Sequence, residues 1–391
     1  MKSLRDLELK GKRVLMRVDF NVPTDKENNI LDDTKITAAL PTIKYVLAHR
    51  GKLILMSHLG RPGGKKNGKY SLDKVAAHLS SLLSLPVIKM DDCIGEEVQQ
   101  AVQKLQEGQV LLLENVRYYE GEEKNDPGFS RQLAALGEIF INDAFGTAHR
   151  AHSSTSGIAD FLPTYAGFLM ENEVAMLRKA LGEGEKPRMA ILGGAKVADK
   201  LGLIRNLLDK MDIILIGGGM ANTFLKAQNK NVGKSLCEDN LLDEARSIIQ
   251  AAQDKKVRLV LPQDVVVADA ISADARAEIV DVDGVGSDKM VLDIGPKTIE
   301  AYLELINEAR TVVWNGPLGV FEYDQFAQGT RAITQALAAS SATTVIGGGD
   351  TSVIVHDLGL EEGITHISTG GGATLEFLEG IELPGVAVCE H

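Results

Sequence analysis

Met189-Ala190-Ile191-Leu192-Gly193-Gly194-Ala195-Lys196 is an apolar run closed by a glycine turn, and the second half of the chain repeats that unit. Ile213 to Ile216 runs into Gly217-Gly218-Gly219, Val345-Ile346 into Gly347-Gly348-Gly349, and Ile364 to Thr369 into Gly370-Gly371-Gly372. Each reads as a strand followed by a turn where the backbone approaches a ligand or takes positive φ. A glycine turn that opens a helix aims unpaired N–H groups and the positive end of the helix dipole at an anion. Four such turns at the ends of parallel strands predict a phosphate-bearing ligand lying across one sheet edge. At any single turn the alternative stays open that glycine only lets a helix pack close to a strand.

Outward from these turns, runs rich in Val, Ile and Leu recur near residues 13–18, 52–56, 110–113, 139–141, 257–261 and 311–314. Longer stretches with helical spacing separate them: Ile36, Leu40, Ile43 and Leu47 share a face, as do Leu72, Val75, Leu79 and Leu82, and Val197, Leu201, Ile204 and Leu208. Strand and helix in alternation predict an α/β fold with mostly parallel sheets covered on both faces. The length of 391 residues exceeds one typical core and predicts two such lobes. The boundary is placed at residues 162–187, where Pro163 precedes a helix carrying Met170, Val174, Leu177 and Leu181 on one face, stopped by Gly182, Gly184 and Pro187. That helix is expected to join the lobes as a hinge arm.

The chain carries 54 acidic against 42 basic residues, a net charge of -12, so its overall field disfavours nucleic acid and anionic membrane as partners. An anionic ligand needs a local cationic cluster. Cys93, Cys237 and Cys389 are far apart and lack metal-ligand spacing, which fits free thiols in the cytoplasm. No apolar stretch approaches the ~20 residues that cross a bilayer, and the N-terminus lacks a leader pattern, so a soluble, unprocessed chain is expected.

Gly233-Lys234-Ser235 resembles the end of a P-loop, but the motif requires glycine where Gln228 stands. His149 and His152 have no third ligand at a recognisable spacing, so no zinc site is assigned. Lys196 and Lys200, four residues apart where a helix is expected to begin, would share one helical face and suit a polyphosphate. In the first half, Ser57-His58-Leu59-Gly60-Arg61-Pro62, Glu114-Asn115-Val116-Arg117 and His149-Arg150 each follow a strand. Asp19-Phe20-Asn21 adds a carboxylate and an amide for hydroxyl groups. Guanidinium groups pair bidentately with phosphate and carboxylate, so Arg61, Arg117 and Arg150 together suit a small phosphorylated acid.

In this order, these segments resemble the phosphoglycerate kinase family over essentially the whole chain, with Arg17 to Pro23, Asp143 to His152, Trp314 to Glu322, Gly347 to Thr351 and Ser368 to Ala373 adding to the match. The resemblance implies two doubly wound, Rossmann-like parallel-sheet lobes joined by a hinge helix. Residues 1–168 would hold phosphoglycerate, 169–185 would be the connecting helix, 186–372 would hold the nucleotide, and 373–391 would pack back on the first lobe. The implied activity is reversible transfer of the acyl phosphate of 1,3-bisphosphoglycerate to ADP, giving 3-phosphoglycerate and ATP after lobe closure, by a monomer. Carried over residue by residue, Asp19, Asn21, Lys35, His58, Arg61, Arg117 and Arg150 would contact phosphoglycerate. Gly193, Lys196, Lys200, Gly217, Gly218, Gly295, Asn315, Glu322, Gly348, Gly349, Asp350 and Thr351 would contact the nucleotide, with Asp350 near its Mg2+. Lys35, Lys196 and Gly372 would act on the migrating phosphoryl group.

The residue inventory suits that chemistry. Both nucleophiles, a terminal ADP oxygen and a carboxylate, are ionised at neutral pH, so positioning and positive charge replace a general base. One position departs from the family pattern: Lys35 stands where arginine is usual, keeping the charge and losing the planar fork. That substitution is the one support for a noncatalytic protein binding both ligands on the same fold. A nicotinamide-dependent dehydrogenase lacks the G-x-G-x-x-G turn after its first strand.

Overall fold

A computed structural model describes residues 1–391. The chain divides into two compact units, Met1–Val174 with Glu382–His391, and Ala175–Ile381. The first contains β1 (Arg13–Arg17), β2 (Lys52–Met56), β3 (Val87–Lys89), β4 (Val110–Leu112), β5 (Ile139–Asn142) and β6 (Thr164–Ala166). All pair in parallel, in the order β3-β4-β2-β1-β5-β6. Because strand side chains alternate, Val14 and Met16 enter the core on one face while Leu15 enters the core on the other. Both faces are therefore covered, and these strands read as continuous apolar runs. The chain winds from β1 through β2 to one edge and returns to β5 on β1's other side. The crevice beside β1 is where such sheets bind ligands.

The second unit contains β7 (Arg188–Leu192), β8 (Ile213–Ile216), β9 (Arg258–Val260), β10 (Asp264–Ala268), β11 (Glu278–Asp281), β12 (Met290–Ile294), β13 (Thr311–Asn315), β14 (Thr343–Gly347) and β15 (His366–Ile367). Its main sheet is parallel in the order β15-β14-β13-β7-β8-β9, which brings all four glycine turns to one carboxyl edge. The strands β11-β10-β12 form a separate antiparallel sheet that the sequence analysis did not anticipate. Its signal was present in Val265-Val266-Val267 and Met290-Val291-Leu292, but β11 is short and half exposed.

Local expectations need several corrections. The helix Thr34–Ala48 buries Ile36, Ala39, Thr42, Ile43 and Val46, leaving Leu40 and Leu47 half-buried. All four expected residues pack in one core cluster, and Thr42, buried beside Ile43, accepts the Phe168 N–H through its hydroxyl at 3.0 Å. No helix begins at Lys196; a 3-10 turn covers Ala198–Lys200 and the helix proper is Leu201–Leu208, so Lys196 and Lys200 do not share a helical face. The connecting helix is Phe168–Arg178, followed by a wider turn at Lys179–Glu183, and the division between units falls inside it. The chain rejoins the first unit at Glu382 and not at 373, because the Gly372–Leu378 helix is held in the second unit, where Asn206 Nδ2 donates to the Leu378 carbonyl at 2.6 Å. The tail is fixed by Gly385 N–H to the Ala148 carbonyl at 2.8 Å and by Lys2 N–H to the Cys389 carbonyl at 2.8 Å. No helix is long and apolar enough to cross a membrane.

Candidate functional site

In the first unit a cavity of 180 Å³ is lined by Asp19, Asn21, Lys35, His58, Gly60, Arg61, Arg117, Gly146, Thr147 and Arg150. It gathers all of the side chains expected to contact phosphoglycerate, delivered by the loops after β1, β2, β4 and β5 and by Lys35 of the Thr34–Ala48 helix. Gly60, Gly146 and Thr147 are additions; they lay inside the quoted segments but carry no charge to mark them. The loops are tied together beneath the cavity. Asn21 Oδ1 accepts Gly60 N–H at 2.8 Å, Arg117 Nη1 donates to the Gly60 carbonyl at 3.0 Å, and Asn115 Nδ2 donates to the Leu59 carbonyl at 2.7 Å. Lys35 Nζ meets Asp19 Oδ2 at 3.0 Å.

The cavity's chemistry is cationic. Burial, then repulsion from Arg17 and Arg150, brings the Arg117 guanidinium down to about 10. His58, 3% exposed, is held well below the ordinary imidazole value by burial and then by Arg17, Arg117, Lys35 and Arg150. This cluster concentrates positive potential on a chain of net charge -12. A small dianion with a hydroxyl group matches it: guanidinium groups and Lys35 for the charge, Asp19 and Asn21 for the hydroxyl.

In the second unit a cavity of 340 Å³ is lined by Gly194, Ala195, Gly218, Gly219, Glu322 and Asp350 on one side and by apolar groups including Leu236, Val265, Met290, Leu292 and Leu318. The apolar wall, largely from the unanticipated sheet, was missed by sequence reasoning because nothing chemical distinguishes it from core. Of the expected nucleotide residues, Gly218, Glu322 and Asp350 stand in this wall; Gly193, Lys196, Lys200, Gly217, Gly295, Asn315, Gly348, Gly349 and Thr351 do not. Lys200, Asn315, Gly347 and Thr351 form a network at the ends of β7, β13 and β14. Lys200 Nζ donates to the carbonyl of Asn315 at 2.9 Å and to its Oδ1, Asn315 Nδ2 donates to the Gly347 carbonyl at 3.0 Å, and Thr351 Oγ1 accepts Gly316 N–H at 2.9 Å. Burial lowers Lys200 to about 8. Gly295 follows Ile294 of that wall; a Cβ on it would lie 2.3 Å from the Asp264 carboxyl carbon, and Asp264 takes the Lys297 and Thr298 N–H groups that open the next helix.

The four turns also separate into two kinds. Gly193 N–H bonds the Asn315 carbonyl and Gly194 N–H the Pro317 carbonyl, while Glu238 Oε2 takes the Val197 and Ala198 N–H groups at 2.6 and 3.3 Å. Gly217 N–H bonds the Leu192 carbonyl and Gly218 N–H the Leu318 carbonyl. These two turns are glycine because backbones touch: a Cβ on Gly193 would lie 2.0 Å from the Pro317 oxygen, and one on Gly218 2.8 Å from Gly194. The other two open into free space at Gly349 and Gly371, at the starts of the helices Gly349–Asp357 and Gly372–Leu378. The first N–H groups of the Gly349–Asp357 helix have no helical partner and suit an anion, whereas at the last turn Gly370 N–H bonds Ser368 Oγ at 3.2 Å and Ala373 N–H the Gly370 carbonyl at 3.1 Å, leaving Gly372 N–H at the helix start. Gly193→Ala is expected to cost about 3 kcal/mol in urea unfolding, whereas Gly349→Ala is expected to stay within about 0.5 kcal/mol. Equal costs would contradict the division.

Comparison with known proteins follows the same outline. The family model described as phosphoglycerate kinase matches residues 4–381. A phosphoglycerate kinase of Herpetosiphon aurantiacus is 56% identical over 385 residues, covering 98% of each chain. That of Chlorobaculum tepidum is 55% identical over 390 residues, covering 99% of this chain and 98% of its own. The solved phosphoglycerate kinase structure from Coxiella burnetii superposes with a TM-score of 0.93 at 43% identity, over 99% of this chain and 98% of that one. The structure from Pyrococcus horikoshii superposes with a TM-score of 0.83 at 33% identity, over 100% and 98%.

Proposed function

The chain belongs to the phosphoglycerate kinase family, and from that premise we infer which of its residues carry the activity. Its reaction is the family's reversible phosphoryl transfer between 1,3-bisphosphoglycerate and ADP, a step of glycolysis and gluconeogenesis. The noncatalytic alternative has no support among the relatives. The single observation that carries the residue assignment is the convergence of Asp19, Asn21, Lys35, His58, Arg61, Arg117 and Arg150 on one 180 Å³ cavity. We read it as the phosphoglycerate subsite. The 340 Å³ cavity, apolar along one wall and bearing Glu322, suits the base and ribose of the nucleotide. The Lys200–Asn315 network and the open start of the Gly349–Asp357 helix suit its phosphates.

No residue needs to take a proton, because the attacking oxygen is already anionic. The residues bind, orient and neutralise: Lys35 at the acyl-phosphate end, Lys196 and the Gly372 N–H about the transferring group. Asp350, at the start of the Gly349–Asp357 helix and on the wall of the 340 Å³ cavity, is the carboxylate we assign to Mg2+ beside the phosphates. When bound, Mg2+ would neutralise charge on the phosphates. The free cysteines fit the inferred cytoplasmic location.

Lys35 supplies the test. Its ammonium is already seated on Asp19, so a point charge is in place without the guanidinium fork. In a coupled assay Lys35→Arg is expected to change kcat less than about threefold, while Lys35→Met is expected to lower kcat about 100-fold with ADP affinity unchanged. Full activity of Lys35→Met, or a large gain in Lys35→Arg, would refute the assignment.

A further inference from the structure

Beneath the phosphoglycerate cavity lies a group that the assignment above leaves unused. Arg17, at the end of β1, is fully buried, and each of its three guanidinium nitrogens has a partner. Nε donates to Ser154 Oγ at 2.7 Å, Nη1 donates to the Val18 carbonyl, and Nη2 lies 3.1 Å from His58 Nδ1. Ser154 in turn donates through its hydroxyl to Glu122 Oε1 and through its N–H to Glu122 Oε2 at 2.9 Å, and Glu122 is fully buried too. The arginine therefore has a fixed position, braced by a carboxylate on its far side.

The contact with His58 has only one chemical reading. A guanidinium has donors and no acceptor, and it does not lose its proton in proteins, so Nδ1 must be the acceptor. The ring then carries its single proton on Nε2. We propose that Arg17 is a positioning residue of the phosphoglycerate site, holding His58 as the Nε2–H tautomer so that the cavity's imidazole donates a hydrogen bond to bound phosphoglycerate while remaining neutral.

Neutrality follows from the neighbours. Arg17 from β1, Lys35 from the Thr34–Ala48 helix, Arg117 from the loop after β4 and Arg150 from the loop after β5 all act on the ring as cations; Asp19 is paired with Lys35. An imidazolium would turn an N–H toward the Arg17 N–H. Neutral Nε2–H suits a site where enough cations already hold the ligand, because it supplies a directed donor without further mutual repulsion.

The inference rests on reading the 180 Å³ cavity as the phosphoglycerate subsite. Its test is long-range 1H–15N NMR of His58 in the whole chain between pH 5.5 and 8.5, without and with 3-phosphoglycerate. Nδ1 is expected to give an unprotonated shift and Nε2 a protonated one throughout, with Nε2 moving on ligand addition. In Arg17→Met/Glu122→Gln, which removes the donor without stranding the buried carboxylate, the tautomers are expected to mix. Phosphoglycerate affinity should fall about tenfold with ADP affinity unchanged. A protonated Nδ1 in the unaltered chain, or an ordinary imidazole titration there, would overturn the proposal whether or not the variant folds. A fixed tautomer whose resonances ignore 3-phosphoglycerate would instead refute the cavity assignment, and the role with it.

Discussion

Lys196→Ala is expected to lower turnover about 10²- to 10³-fold while ADP and ATP affinities change less than about threefold. The reason is its setting. Lys196 lies in the loop between β7 and the 3-10 turn at Ala198–Lys200, exposed, on a segment whose following N–H groups are clamped by Glu238. The backbone is anchored and the ammonium is free to reach. A cation that meets the phosphoryl group mainly during transfer stabilises the transition state over bound nucleotide, and removing one such group costs about 2.7 to 4 kcal/mol in comparable sites. Turnover by coupled assay and nucleotide affinity by calorimetry separate the cases. Equal losses in both would assign Lys196 to ground-state binding.

Lys200→Met should show the opposite pattern, a loss of nucleotide affinity of about 100-fold or more. Lys200 Nζ is drawn inward to Asn315, whose own side chain holds the Gly347 carbonyl, so one ammonium links the turns after β7, β13 and β14. Loss of its charge-assisted bonds leaves acceptors unpaired as well as removing a cation from the phosphates. The same lysine predicts a pH dependence. Burial brings it to about 8, and a polyphosphate binds the charged form, so the nucleotide raises its value. Affinity should therefore be flat below pH 8 and fall as pH rises through about 8, and the Lys200→Met variant should lose that step. A step retained in the variant would assign the titration to another group.

Much of the fold was legible because its strands are buried on both faces. Val14 to Met16, Leu53 to Met56 and Ile213 to Ile216 are continuous apolar runs, and only a covered parallel sheet accounts for such runs alternating with helices. Most of the first cavity was legible for a related reason: apart from Lys35, which stands on a helix and came only from the family resemblance, its charged and polar side chains lie just after strands, where the period of the chain itself locates them. The antiparallel β10–β12 sheet escaped because β11 is a half-exposed four-residue strand whose pairing is set by partners far along the chain. The apolar wall of the second cavity escaped because Val265, Met290 and Leu292 have the chemistry of any core residue.

The glycine turns mark the limit. By itself the sequence determined that four apolar runs end in glycine turns, and predicted a phosphate-bearing ligand across them. Only the tertiary structure decided what each glycine is for. At Gly193 and Gly218 the missing side chain makes room for another stretch of backbone, and those N–H groups are already spent inside the protein; at Gly349 and Gly371 it faces open space. A local run of residues sets the conformation a turn can adopt, but whether an amide is free depends on carbonyls that arrive from elsewhere: Asn315, Pro317 and Leu318, more than a hundred residues downstream of the Gly193 turn. That pairing is a long-range fact, and no local pattern contains it.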